Sequence, residues 1–230
     1  MAAICYPFRH RLYAAAGLPP FSTTGPAEPP PRAVPSSHQP DLDPFAAPAL
    51  GLTGPGAVAT ARILALSALD EHGGKSLVVI PRPDTTSLFG LAEDELLDDD
   101  TAGLFIPGNL DAALAYLETE LAIRENTGVT QARRLLLVAD PDGETDRIKA
   151  LLDRHPGGVS VILLGAWTGE QASVDDEGLV DASPAMAVSF PERLPAMSRT
   201  EARDRLFSAL VRQRQDQKPP SRRRSTSRRP

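Results

Sequence analysis

Ala49-Leu50-Gly51-Leu52-Thr53-Gly54-Pro55-Gly56-Ala57-Val58-Ala59-Thr60-Ala61-Arg62 is the stretch on which the fold turns. A short apolar run, Ala49 to Leu52, enters a glycine turn, and a helix rich in Ala, Leu and Ile leaves it, predicted from Ala57 to Glu71 and ended by Gly73 and Gly74 in the left-handed cap conformation. Strand and helix then alternate. Strands are predicted at Ser76–Ile80, Leu104–Ile106, Arg134–Ala139 and Val159–Leu164. Helices are predicted at Asp84–Phe89, Glu93–Asp100, Asn109 to about Glu125, and Glu144–Arg154. Uninterrupted apolar runs such as Leu135 to Val138 and Val161 to Leu164 suit a sheet covered on both faces. The expectation is an α/β domain with a mostly parallel sheet of about five strands, helices on both faces and right-handed crossovers. After Trp167, Ser173–Asp175 and Leu179–Asp181 flank a hairpin turn at Asp176-Glu177-Gly178, and Ser198 with Glu201 forms a capping box for a last helix through Val211.

Gly51 to Gly56 reproduces the G-x-x-x-x-G spacing of a phosphate-binding loop in the context such a loop requires, the end of a strand and the start of a helix. In a working P-loop the next two residues are a lysine that reaches the terminal phosphates and a Ser or Thr that holds magnesium. Here they are Ala57 and Val58, which carry neither charge nor ligand. Asp140 ends the strand Leu135–Ala139 where a magnesium-directing aspartate would stand, but Pro141 occupies the place of a water-activating glutamate, and Gly165 and Ala166 end the next strand without a polar side chain. The positions of a vestigial nucleotide site are thus Gly51, Thr53, Gly54, Gly56, Ala57, Val58 and Asp140. A glycine-rich turn with no ligand is the alternative. A dinucleotide fingerprint fails, because no third small residue stands in register after Gly56 and no acid ends the strand at Ile80. Gly73-Gly74-Lys75-Ser76 imitates a phosphate-loop signature, but it precedes a strand and reads as a cap and turn.

The flanks are different material. Of 23 prolines, eleven fall in residues 1–48, which read as an unfolded, locally polyproline II leader. Residues 212–230 carry eight basic residues against one acidic, a net of +7; residues 1–48 balance, so with −6 overall the body 49–211 carries −13. The tail, with Arg222, Arg223, Arg224, Arg228 and Arg229, is a polyanion-binding candidate for nucleic acid or an anionic surface. No aromatic residue lies there to stack a base, and the other reading is a solubilising terminus that folds back on the acidic body. A disulfide framework and a zinc module are excluded by one cysteine, Cys5, and four scattered histidines. No apolar run is long enough for a transmembrane segment and no signal peptide is legible, so the expected location is cytoplasmic. Other chemistry is thin: there is no Gly-x-Ser-x-Gly elbow, and Asp98 to Asp100 reads as a solvated charge run.

The run Gly51 to Ala61, with Arg62 following, resembles the phosphate loop of the FtsK/HerA branch of P-loop ATPases with its lysine and serine lost. Over residues 46–210, GLTGPGAVATAR, SLVVIP, LDAALAYLETEL, RLLLVAD and VILLGAW resemble a segment of large actinobacterial membrane proteins that join transmembrane helices, a LysM peptidoglycan-binding module and a bacterial transcriptional activation domain. Those other modules are not in this sequence. The resemblance implies a regulatory or signalling scaffold.

These observations rank three functions. A non-catalytic, degenerate P-loop-like module for regulation or interaction with protein partners comes first, with no cofactor or with weak ATP or GTP affinity through backbone N–H groups. An active nucleotide hydrolase using Asp140 and an arginine such as Arg62 or a partner's comes second. Polyanion binding through the tail comes third.

Overall fold

A computed structural model describes residues 42–71, 73–92, 103–128, 133–184, 186–187 and 189–217. The expected leader up to residue 41, the predicted helix over 93–100 and the tail beyond 217 lie outside them.

The chain builds β1 (Ala49–Thr53), α1 (Ala57–Glu71), β2 (Ser76–Val79), α2 (Arg82–Phe89), β3 (Leu104–Phe105), α3 (Leu110–Thr127), β4 (Arg134–Ala139), α4 (Thr145–Arg154), β5 (Val159–Leu164), β6 (Glu170–Val174), β7 (Val180–Ala182) and α5 (Arg199–Gln217). The strands form one sheet in the order β3-β2-β4-β5-β1-β6-β7, parallel throughout except for the β6–β7 pair. The α/β class and the mostly parallel sheet are as expected. The strand count is seven instead of about five, because the predicted hairpin does not stand apart: β6 pairs in parallel with β1, Leu50 opposite Glu170, and extends the main sheet.

Alternation along the strands splits the core into two layers. Leu136 and Val138 of β4 face one side with α1, α2 and α5, while Leu135, Leu137 and Ala139 face α3 and α4 on the other. This explains why the strands read as unbroken apolar runs: both faces are covered, so neither parity needs a polar residue. Helix α1 lies deepest. Ile63 to Leu69 are each no more than 1% exposed, Ser67 included, since the sheet covers one side of the helix and α5 the other. At that second contact the Gln213 amide donates to the Leu69 carbonyl at 2.8 Å and Arg212 donates to Asp70 at 2.6 Å.

Local signals place most element ends. Asn109 caps α3 by accepting the Ala112 N–H at 2.8 Å, and Ser198 accepts the Glu201 N–H at 3.1 Å at the start of α5. Gly90 and Gly128 take the left-handed conformation after α2 and α3. Gly74 does not: Gly73–Lys75 form a single 3-10 turn that feeds β2 directly. Two boundaries move furthest, one at each end of the described domain. Helix α5 runs past Val211 to Gln217, so Arg212 and Arg214, grouped with the tail on charge, are helical. At the other end Leu42, 1% exposed, belongs to the core, and the Pro48 carbonyl accepts the Val161 N–H; proline density hid this packing in the sequence.

Candidate functional site

Parallel strands send their carboxyl ends to one edge of the sheet, and α/β folds bind ligands there where the strand order switches. Thr53, Gly54, Gly56, Ala57 and Val58 stand at this edge around β1, and Asp140 follows β4, two places away in the strand order, which at the usual strand spacing is about 10 Å. Strand β5 lies between them. The layout agrees with a P-loop-like fold, and the structure brings the sequence-assigned residues to one edge.

The turn itself has a different geometry from a phosphate cradle. Gly51, Leu52 and Thr53 belong to β1, so only Gly54, Pro55 and Gly56 separate strand from helix. The Gly56 N–H donates to the Val174 carbonyl of β6 at 2.8 Å, and the Ala57 N–H donates to the Gly54 carbonyl at 3.2 Å. Amides that a phosphate loop aims at its anion are here spent inside the protein. The Ala57 side chain is 6% exposed and packs in the core.

Each glycine of the motif has a steric reason. At Gly54 φ is +86°, and a Cβ there would stand 2.4 Å from the Val174 carbonyl oxygen; at Gly56 it would stand 2.4 Å from that of Asp175. Gly51 has another. The chain leaves β5 at Leu164 and reaches β6 at Glu170 on the far side of β1, and it makes this crossing over Gly51. A Cβ on Gly51 would stand 2.6 Å from Trp167 Cβ and 3.1 Å from the Gly165 carbonyl oxygen. Trp167 itself is 6% exposed and packs on the α3/α4 side. Gly165, where a phosphate-sensing side chain would stand, donates its N–H to the Leu52 carbonyl at 2.9 Å.

Asp140 is exposed and shapes its own loop, accepting the Asp142 N–H at 3.2 Å. Its backbone N–H donates to Asp84 Oδ1 at 3.3 Å. Asp84, which sequence reading used only to open α2, is the buried carboxyl of this edge; its signal was a lone acid just past the end of an apolar strand. Burial pushes its pKa up to about 6, and the charges of Asp140 and Asp142 add to the rise, against the hydrogen bond from Asp140 that lowers it. Among the described residues no group of three or more His, Cys, Asp or Glu side chains is arranged to hold a metal ion. Arg62 does not serve this edge: its Nε donates to the Leu88 carbonyl at 2.6 Å and its Nη1 to that of Met197 at 3.0 Å, tying α1 to the end of α2 and the approach to α5. Desolvation, with Arg199 nearby, lowers its pKa. Arg222, Arg223, Arg224, Arg228 and Arg229 lie outside the described residues.

Asp84 gives a pH prediction. Its folded pKa lies above its unfolded value, so the native state favours the protonated form; stability from this group is fully present below about pH 4 and is lost as pH rises through about 6. Asp84→Asn keeps an acceptor for the Asp140 N–H and removes the charge. It is expected to stabilise the protein by about 2 kcal/mol at pH 7.5 and by almost nothing at pH 4, measured by urea denaturation at both pH values.

No helix among the described residues is long and apolar enough to cross a membrane. The chain matches no protein-family model and no curated protein.

Proposed function

We propose that the chain is a non-catalytic, degenerate P-loop-like module that works in regulation through contacts with protein partners. The observation that carries this reading is the spent turn: the Gly56 and Ala57 amides bond within the protein, and Ala57 and Val58 stand where a lysine and a magnesium ligand would be needed. Asp84, Asp140 and Asp142 add negative charge at the same edge, which opposes a triphosphate. Descent from an ancestor of the FtsK/HerA type would account for scaffold and spacing surviving together without the catalytic groups. Any residual affinity for ATP or GTP rests on the amino end of α1, without the lysine that offsets the phosphates in a working loop.

Isothermal titration with ATP and magnesium tests this. Binding is expected to be absent or weaker than about 1 mM, and a dissociation constant in the range of about 1 to 10 µM would overturn the reading.

A further inference from the structure

Asp142-Gly143 is the single Asp-Gly pair in the 230 residues, and no Asn-Gly pair occurs. It lies in the link between β4 and α4. The Glu144 N–H donates to the Pro141 carbonyl at 2.7 Å across the pair, and φ is +34° at Asp142 and +85° at Gly143, the pattern of a type I′ turn. Asp142 is the one non-glycine residue with positive φ among the described residues. An L residue in that region lies above its own lowest-energy conformations, so the turn does not hold Asp142 in a deep minimum.

Two reactive groups of this turn are left uncommitted. Both residues are exposed. The Asp142 backbone N–H donates to Asp140 Oδ1 at 3.2 Å, but among the described residues neither the Asp142 carboxyl nor the Gly143 N–H has a hydrogen-bond partner. A Cβ built on Gly143 would meet nothing within 4 Å, so there is room for the main chain to rotate. Any other residue after an aspartate crowds its own amide with a side chain, and glycine leaves that nitrogen open. An attack by it on the aspartate side chain closes a five-membered ring.

We propose that Asp142-Gly143 is a modification site, at which the folded protein converts Asp142 to isoaspartate through a succinimide. The Gly143 nitrogen bonds to Asp142 Cγ and gives up its proton, and the carboxyl hydroxyl leaves with a proton as water. Water then adds to one of the two imide carbonyls. Breaking the bond from nitrogen to Cγ restores aspartate; breaking the bond from nitrogen to the main-chain carbonyl carbon leaves that carbon as a free carboxylate and runs the chain through Cβ and Cγ. The water lost is the water regained, so mass and charge are unchanged and no oxidant or cofactor enters. The main chain is longer by one carbon inside the span of the Glu144 to Pro141 bond, so the product loses the turn that leads into α4. The site does not depend on whether the glycine turn holds a nucleotide.

The test ages the full chain and a synthetic peptide of residues 135–147 side by side in oxygen-18 water at mildly acidic pH. Trypsin, cutting after Arg134 and Arg147, releases the same peptide from the chain, and fragment masses locate both isoaspartate and oxygen-18. Expected is isoaspartate at position 142 of the folded chain, formed at a rate of the same order as in the peptide, with oxygen-18 in the recovered Asp142. Asp140 and Asp146 are internal controls in the folded chain: the nitrogen after Asp140 belongs to Pro141 and has no hydrogen to give up, and Asp146 is held in α4. Asp142→Glu, which keeps the charge but needs a larger ring, should abolish the product. Asp142→Asn, which suits positive φ as well as aspartate does, should lose ammonia in the folded chain and gain a negative charge at the same position. The proposal is overturned by a folded chain without isoaspartate at position 142 once the peptide has converted, by isoaspartate at Asp140 or Asp146 instead, by a product that persists in Asp142→Glu, or by an Asp142→Asn chain that keeps its amide.

Discussion

Gly51→Ala is expected to cost about 3 kcal/mol or more, lowering the melting temperature by about 10 °C. The added carbon would stand 2.6 Å from Trp167 Cβ and 3.2 Å from the Trp167 amide nitrogen, so the obstacle is main chain passing overhead, not a side-chain tip that can turn aside. Either β1 or the crossing segment must shift, and β1 sits between β5 and β6 in the sheet. Trp167 is the single tryptophan, so its fluorescence reports on this contact alone: emission should move to the red in Gly51→Ala under native conditions. Gly74→Ala is the control, since nothing lies within 4 Å of its added carbon, and it should change stability by less than about 0.5 kcal/mol. A Gly51→Ala protein as stable as the unaltered chain would show that the crossing does not need this glycine.

The second large effect concerns the two positions that decide the nucleotide reading. Restoring a phosphate-loop pair with Ala57→Lys and Val58→Thr puts an ammonium on a position that is 6% exposed and packed in the core cluster. The lysine stem can reach partway to water, which limits the penalty, and the threonine adds a hydroxyl beside apolar neighbours. A loss of about 2 to 3 kcal/mol is expected, with no ATP binding gained, because the Gly56 amide still bonds to the Val174 carbonyl. Denaturation and ATP titration of the same variant check both halves. Micromolar ATP binding by the variant would mean that the turn can open into a cradle.

The local grammar of the sequence was sufficient for β1 through β5, the Asn109 and Ser198 caps and the two-faced burial of the sheet, because each rests on residues within a few positions of one another. What it left out is long-range. Gly51 and Gly56 carry the spacing of a phosphate loop, with Gly54 between them, yet the atoms that require these three glycines belong to Trp167, Val174 and Asp175, more than a hundred residues later. Spacing alone does not distinguish a glycine kept clear for a phosphate from one kept clear for another stretch of chain. Asp84 and His155 escaped notice for a related reason: a single ionisable residue has no pattern, and only the packing of α2 on β4 or of α4 against α3 reveals it as buried.

The burial of α1 bears on how the protein is made. One side of that helix is closed by α5, through bonds between residues 142 and 144 positions apart in the chain. During synthesis α1 leaves the ribosome more than a hundred residues ahead of α5, and until residues 199–217 follow, the apolar surface awaiting Ala202, Leu206, Ala209 and Leu210 faces water. Among the described helices, the last one made closes the first. A chain stopped before Ser198 therefore has every strand of the sheet and still presents an uncovered apolar helix, the kind of surface that chaperones hold and proteases find.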